Sequence, residues 1–209
     1  MPETVLDLLK KNLSTKCVKT DSKQITHVIL EEKDKQAKLK KLTIEDLDDD
    51  VLVLDTDSAR DICGKKCKYR ACNSPLFSTE VGHGLNRACD AVLVRKIKSP
   101  EDSFEVCYIE LKSDMPKPED YRDQFKSTTC FMKYLSLLTN EICKTKFVIR
   151  KEHYVVFHTD PEGGSRSKIK NTKLNKNLPG SSPDNPQKKA VKNGDKISIN
   201  RFFRATTAS

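Results

Sequence analysis

"DAVLVRKIKSPEDSFEVCYIELK", residues 90 to 112, carries the reading of the fold. Two apolar runs, 90–98 and 104–112, flank the polar "SPED", a pattern that predicts a β-hairpin. With the turn centred near Pro100, opposed residues have numbers summing to about 200. Val94 then faces Val106, Val92 faces Tyr108, and Arg95 faces Glu105 as an opposite-charge pair. The same register sets Asp90 opposite Glu110, with Cβ atoms about 4.5–5.5 Å apart. Lys112 lies two residues past Glu110 and shares its face.

Asp90, Glu110 and Lys112 therefore converge at the open end of one hairpin. Two carboxylates that close repel each other, and a single lysine cannot neutralise both. A hard divalent cation would. Mg²⁺ takes one or two protein carboxylates and keeps several waters. It lowers the pKa of a bound water and stabilises charge that grows on phosphorus. Lys112 would orient that water, help deprotonate it, or stabilise the transition state. The bland alternative is an ion pair at a strand end with no ligand. A one-residue slip of the register would carry Asp90 to the opposite face and remove the argument.

The rest of the chain is polar and basic. It has 209 residues, 36% hydrophobic and 33% charged, with a formal net charge of +9. That length suits a single domain, 1–209, with a real core. The positive excess favours polyanion partners, nucleic acid first. No stretch approaches the roughly 20 apolar residues of a membrane span, and the acidic, amphipathic start is unlike a secretory signal. A cytoplasmic protein is expected, its cysteines thiols or metal ligands rather than disulfides.

Along the chain, residues 3–13 read as a short helix and 25–32 as a strand, with "KLKKLTI" pairing against it. "DVLVLDTD" is a further apolar run of strand length. The reversal from five lysines in 33–41 to seven acids in 45–57 reads as two solvated flanks, since no metal-loop spacing accompanies it. A helix is expected from about Pro118 to Asn140, with Pro118 in its first turn, and "KFVIRKEHYVVFHT" gives one or two more strands. Residues 160–196 hold no aromatic residue and eight lysines. They read as a flexible basic loop whose lysines would follow a phosphate backbone without reading bases. "KISINRFF" is strand-like. The organisation is thus an N-terminal helix and strands (1–57), a core at about 80–160, and the basic loop. The fold class is α/β (α+β), a mixed central sheet flanked by helices.

An aspartate on one strand, a hairpin, "IELK" and a helix with a glutamine together resemble the PD-(D/E)XK, or restriction-endonuclease-like, nuclease superfamily. "CDAVLV", "YIELKSD" and "DYRDQFKSTTCFMKYL" are similar to small bacterial and phage members with a CD…IELK…Q pattern. The resemblance covers about residues 80–160. It implies a Mg²⁺-dependent endonuclease or other nuclease acting on DNA, with Mn²⁺ as a plausible substitute. By that likeness Asp90 and Glu110 would bind the metal, with the carbonyl of Leu111 completing the shell, and Lys112 would be the catalytic lysine. Gln124, on one helical face with Tyr121, Thr128, Phe131 and Leu135, would support the site or touch nucleophile or DNA. Glu80 would stand for the supporting glutamate that members carry on an earlier helix, although Gly82 and Gly84 disfavour a helix there. Cys89 occupies the place of the motif's leading proline. Analogy also implies a homodimer that cuts both strands, and a setting in phage defence or mobile elements.

Other residues carry weaker signals. His83, between two glycines close to Asp90, is a candidate support contact, though a lone histidine is usually only a loop residue. Cys63, Cys67 and Cys72, with Cys89 further on, have irregular spacings for a structural zinc site, which needs four ligands in close pairs. Cys107 and Cys130 read as small core residues, and His153 and His158 as strand positions without a catalytic role. Two rival functions stay open: a nucleic-acid-binding member of the fold that does not cut, and a zinc-stabilised interaction protein built on the cysteine cluster.

Overall fold

The hairpin forms in the register that its sequence predicts. The strands Ala91–Lys96 (β4) and Ser103–Lys112 (β5) pair antiparallel with Ala91 opposite Ile109, Val92 opposite Tyr108 and Arg95 opposite Glu105. Arg95 Nη2 donates to Glu105 Oε1 at 3.2 Å, so the expected charge pair is made. In this computed structural model the described residues are 4–13, 18–19, 26–32, 35–56, 87–97, 103–159 and 180–203.

β5 is the central strand of a five-stranded mixed sheet. Val51–Asp55 (β3) pairs antiparallel with β4 on one side. On the other side Val148–Thr159 (β6) runs parallel to β5, and Gln187–Val191 (β7) runs parallel to β6. A parallel step needs a long crossover, here the helix Arg122–Cys143 (α2). Nine of the ten β5 residues are buried, which explains why the strand reads as a nearly continuous apolar run.

The pleat sends alternate residues to two separate cores. On one face Val92, Val94, Phe104, Val106, Tyr108, Tyr154 and Val156 pack with Phe125 and Met132 of α2. Val5, Leu6 and Leu9 of the helix Val5–Asn12 (α1) join that core. On the other face Leu93, Cys107, Ile109, Leu111, Val155 and Phe157 pack against a second, three-stranded sheet and a terminal helical turn. That sheet contains His27–Glu31 (β1), antiparallel to Lys41–Glu45 (β2), and Lys196–Ser198 (β8), parallel to β2. The turn Asn200–Phe203 (α3) buries Phe202 and Phe203 there. The architecture is therefore α/β with a mixed central sheet, and a small sheet covers the flank away from α1 and α2.

Two local signals set α2. A 3-10 turn, Pro118–Asp120, opens it, with Asp120 Oδ2 accepting from the Lys117 N–H at 2.7 Å. It stops where Lys144 takes a left-handed conformation (φ 53°), and Asn140 then brackets Phe147, accepting from its N–H at 2.6 Å and donating to its carbonyl at 3.1 Å.

The reading of 160–196 as a flexible loop needs correction at its C-terminal end. Residues 187–191 are strand β7 and 196–198 are strand β8. β7 is an edge strand, and lysines are tolerated on such an edge while masking its periodicity. "KISINRFF" is a strand only for three residues before it turns into α3. Among the described residues, no helix is long and apolar enough to cross a membrane.

Candidate active site

The C-terminal end of β5 carries the residues of interest because the pleat holds even-numbered positions on the α2 side. Glu110 and Lys112 follow Val106 and Tyr108 on that face. Glu110 is buried, with 3% of its surface exposed. Its Oε1 lies 2.7 Å from the Lys112 ammonium and 3.4 Å from Gln124 Nε2, which donates to it. The E-x-K spacing thus makes an ion pair along one strand, and the first turns of α2 add an amide to it.

Asp90 enters from the neighbouring strand. The β4–β5 ladder ends at Ala91 opposite Ile109, so the next positions are Asp90 and Glu110. The Asp90 carboxylate reaches across the strand end, where Oδ2 accepts from the Leu111 N–H at 2.6 Å. Asp90 is therefore docked on the peptide that links Glu110 to Leu111. The two acids and the lysine also share a field. Burial alone pulls the Lys112 ammonium down, but Glu110, then Asp90 and Asp120, outweigh it and leave its pKa above the ordinary value. Between Glu110 and Lys112 in sequence, Leu111 turns its side chain into the opposite core.

A second contact ties α2 to the start of β4. The buried Thr128 hydroxyl accepts from the Cys89 N–H at 3.0 Å and donates to the Gln124 carbonyl at 2.8 Å. Thr56 donates to the Cys89 carbonyl. One side chain thereby locates the residue before Asp90 and the helical turn that bears Gln124. Burial, then the neighbouring Glu110 charge, pushes the Cys89 thiol well up. It donates to the Ala91 carbonyl at 3.3 Å. Cys89 is thus a buried thiol in the core, and its proposed zinc partners Cys63, Cys67 and Cys72 lie outside the described residues.

The parallel register adds a residue that the sequence reading set aside. Lys112 is level with His158 on β6, and His158 is 3% exposed. Its Nδ1 lies 3.1 Å from the Thr159 carbonyl. The other strand histidine, His153, binds Glu105 on the opposite face at 3.1 Å. Hydrophobic pattern alone does not separate the two, because a crossover connection leaves the register of a parallel pair open.

Asp90, Glu110, Lys112, Leu111 and Gln124 are thus brought to one strand end. Cys107 is buried as expected, whereas Cys130 is exposed, its helix position facing away from the sheet. Glu80, His83, Cys63, Cys67 and Cys72 lie outside the described residues.

The carboxylates of Asp90 and Glu110 offer oxygen donors, which suit a hard divalent cation rather than zinc. Gln124 Oε1 supports that fit. It is buried and has no hydrogen-bond partner among the described residues, an acceptor left for bound water. A site built from three or more histidine, cysteine or acidic side chains is absent among the described residues. Comparison with known proteins finds no matching family model, curated protein or solved structure.

Proposed function

We propose that the chain is a Mg²⁺-dependent phosphodiester hydrolase acting on DNA, as its likeness to PD-(D/E)XK nucleases implies. The observation that carries this reading is the meeting of Asp90, Glu110, Lys112 and Gln124 at the end of β5. A buried glutamate costs free energy unless its charge has a use or a partner. Here an ammonium and an amide hold it beside a second acid at the C-terminal end of the sheet's central strand, and ligands gather at the carboxyl ends of strands in open α/β folds.

Asp90, Glu110 and the Leu111 carbonyl would hold the metal. When bound, it would supply Lewis-acid polarisation of a phosphate oxygen and a water of lowered pKa. The remaining work falls to the chain itself. Lys112, as an ammonium, orients the attacking water and stabilises charge that develops on the phosphoryl oxygens. Gln124 keeps the Glu110 carboxylate aimed and offers its own oxygen to that water. Thr128 holds both strand and helix in place. The basic excess of the chain favours association with the polyanion.

The test is cleavage of plasmid, linear duplex and single-stranded DNA with Mg²⁺, with Mn²⁺ and with EDTA. Metal-dependent cleavage by the wild type, lost in Lys112→Ala and Glu110→Gln, is the expected result. Equal cleavage by wild type and Lys112→Ala would remove the proposal. DNA bound but never cut would favour a binding module of the same fold.

A further inference from the structure

The row of the sheet that holds Glu110 continues through Val156 on β6 to Lys188 on β7. Adjacent strands lie about 4.8 Å apart, so the Lys188 and Glu110 backbones are separated by roughly 10 Å. The pleat sends the consecutive lysines of β7 to opposite faces. Lys189 lies over the Phe202 ring at 4.8 Å on the small-sheet side. Lys188, an exposed residue, goes to the α2 side, where its ammonium donates to the Pro116 carbonyl at 2.8 Å and lies 5.3 Å from the Tyr121 ring centroid.

Neither of those contacts is anionic. Nearby, Lys126 and Arg122 share the Asp184 carboxylate at 3.1 and 4.0 Å, which offsets their charge. Lys188 is held by a dipole and a ring face, both of which orient a cation without neutralising it. Its row therefore carries an acid that would bind metal at one end, an apolar valine in the middle and an oriented positive charge at the other.

We infer that Lys188 holds a backbone phosphate of the substrate strand next to the phosphate that is cleaved. The nucleic acid would then cross β5, β6 and β7 in that order, over Val156. This rests on the nuclease reading and deepens it, because it makes the substrate a polynucleotide strand rather than a lone phosphodiester. A contact of this kind positions without reading sequence.

The experiment is binding of a fluorescently labelled random-sequence DNA duplex to the full chain, with Ca²⁺ in place of Mg²⁺, over a range of salt. Lys188→Gln should weaken binding roughly tenfold and lower the slope of log affinity against log salt by about one. Lys188→Arg should keep the slope, and Lys188→Met serves in place of Lys188→Gln if that variant does not fold. In Mg²⁺, Lys188→Gln should raise KM with kcat changed by less than about threefold, the mark of lost uniform binding. An unmoved slope in Lys188→Gln, where the wild type cleaves DNA, overturns the Lys188 assignment alone. A lower melting temperature with an unmoved slope assigns Lys188 to the Pro116 carbonyl as a structural staple and overturns it too. A wild type that neither binds nor cleaves overturns both readings.

Discussion

The Lys112 ammonium lies 2.7 Å from Glu110 Oε1, on the same strand and two residues on. The lysine side chain is 25% exposed and the glutamate side chain 4%. The pair is thus lopsided, with the acid dry and the base at the water's edge. Removing the base should cost more than removing both members, since a lone carboxylate would remain buried.

That asymmetry sets the first expectation. Lys112→Met should destabilise the fold by about 1–3 kcal/mol, and Glu110→Leu combined with Lys112→Met should recover part of the loss. Urea unfolding of the two single variants and the double variant measures the coupling. Additive effects would mean that the two side chains do not interact in solution.

The donor set of Asp90 and Glu110 predicts a metal effect that does not depend on turnover. Mg²⁺ at about 100 times its dissociation constant should stabilise the folded chain by about 2.7 kcal/mol. For a chain of this length that raises the melting temperature by roughly 5–10 °C. Asp90→Asn and Glu110→Gln should each abolish the rise. A shift that survives in both variants would locate the ion elsewhere.

Thr128 is a positioning residue. Thr128→Val keeps the volume but leaves the buried Cys89 N–H without its acceptor, at a cost of about 1–3 kcal/mol. It should also reduce kcat with little change in KM, because Asp90 follows Cys89 directly and Gln124 lies one helical turn before Thr128. Thr128→Ser should restore both quantities. Steady-state cleavage kinetics alongside thermal melting separates these outcomes.

On the other face, Glu105 predicts a contribution to acid stability. Burial pushes its carboxyl up, but hydrogen bonds and charge from His153 and Arg95 outweigh it and leave the pKa below the ordinary 4.5. A folded-state pKa depressed in this way gives stability that is present above 4.5 and lost as pH falls through the folded value. Glu105→Gln should therefore lower stability at neutral pH and flatten its decline below 4.5. Unfolding midpoints from pH 7 to pH 3 check the sign. A steeper decline in the variant would contradict it.

Part of this site was legible in the primary structure. β4 and β5 are close neighbours in sequence, and a slip of one residue would part Arg95 from Glu105 and carry Asp90 to the face opposite Glu110. The pairing of Arg95 with Glu105 marks the same register, and Asp90, Glu110 and Lys112 follow from it. The helical spacing of Gln124, Thr128 and Phe131 likewise placed one face of α2 against the sheet. Lys188 was hidden for the opposite reason, because an edge strand of alternating half-exposed and exposed residues has the composition of a loop.

By itself, then, the chain's amino-acid order determined the hairpin, its register and the helix that follows, since each depends on contacts between residues close in sequence and on the burial of alternating apolar side chains. Only the tertiary structure decided what stands beside that hairpin. The level of His158 with Lys112, the row from Glu110 to Lys188 and the small sheet over the second face all join segments far apart in the chain. Parallel pairing through a crossover leaves register free locally, and it is the packing of the whole core that selects one.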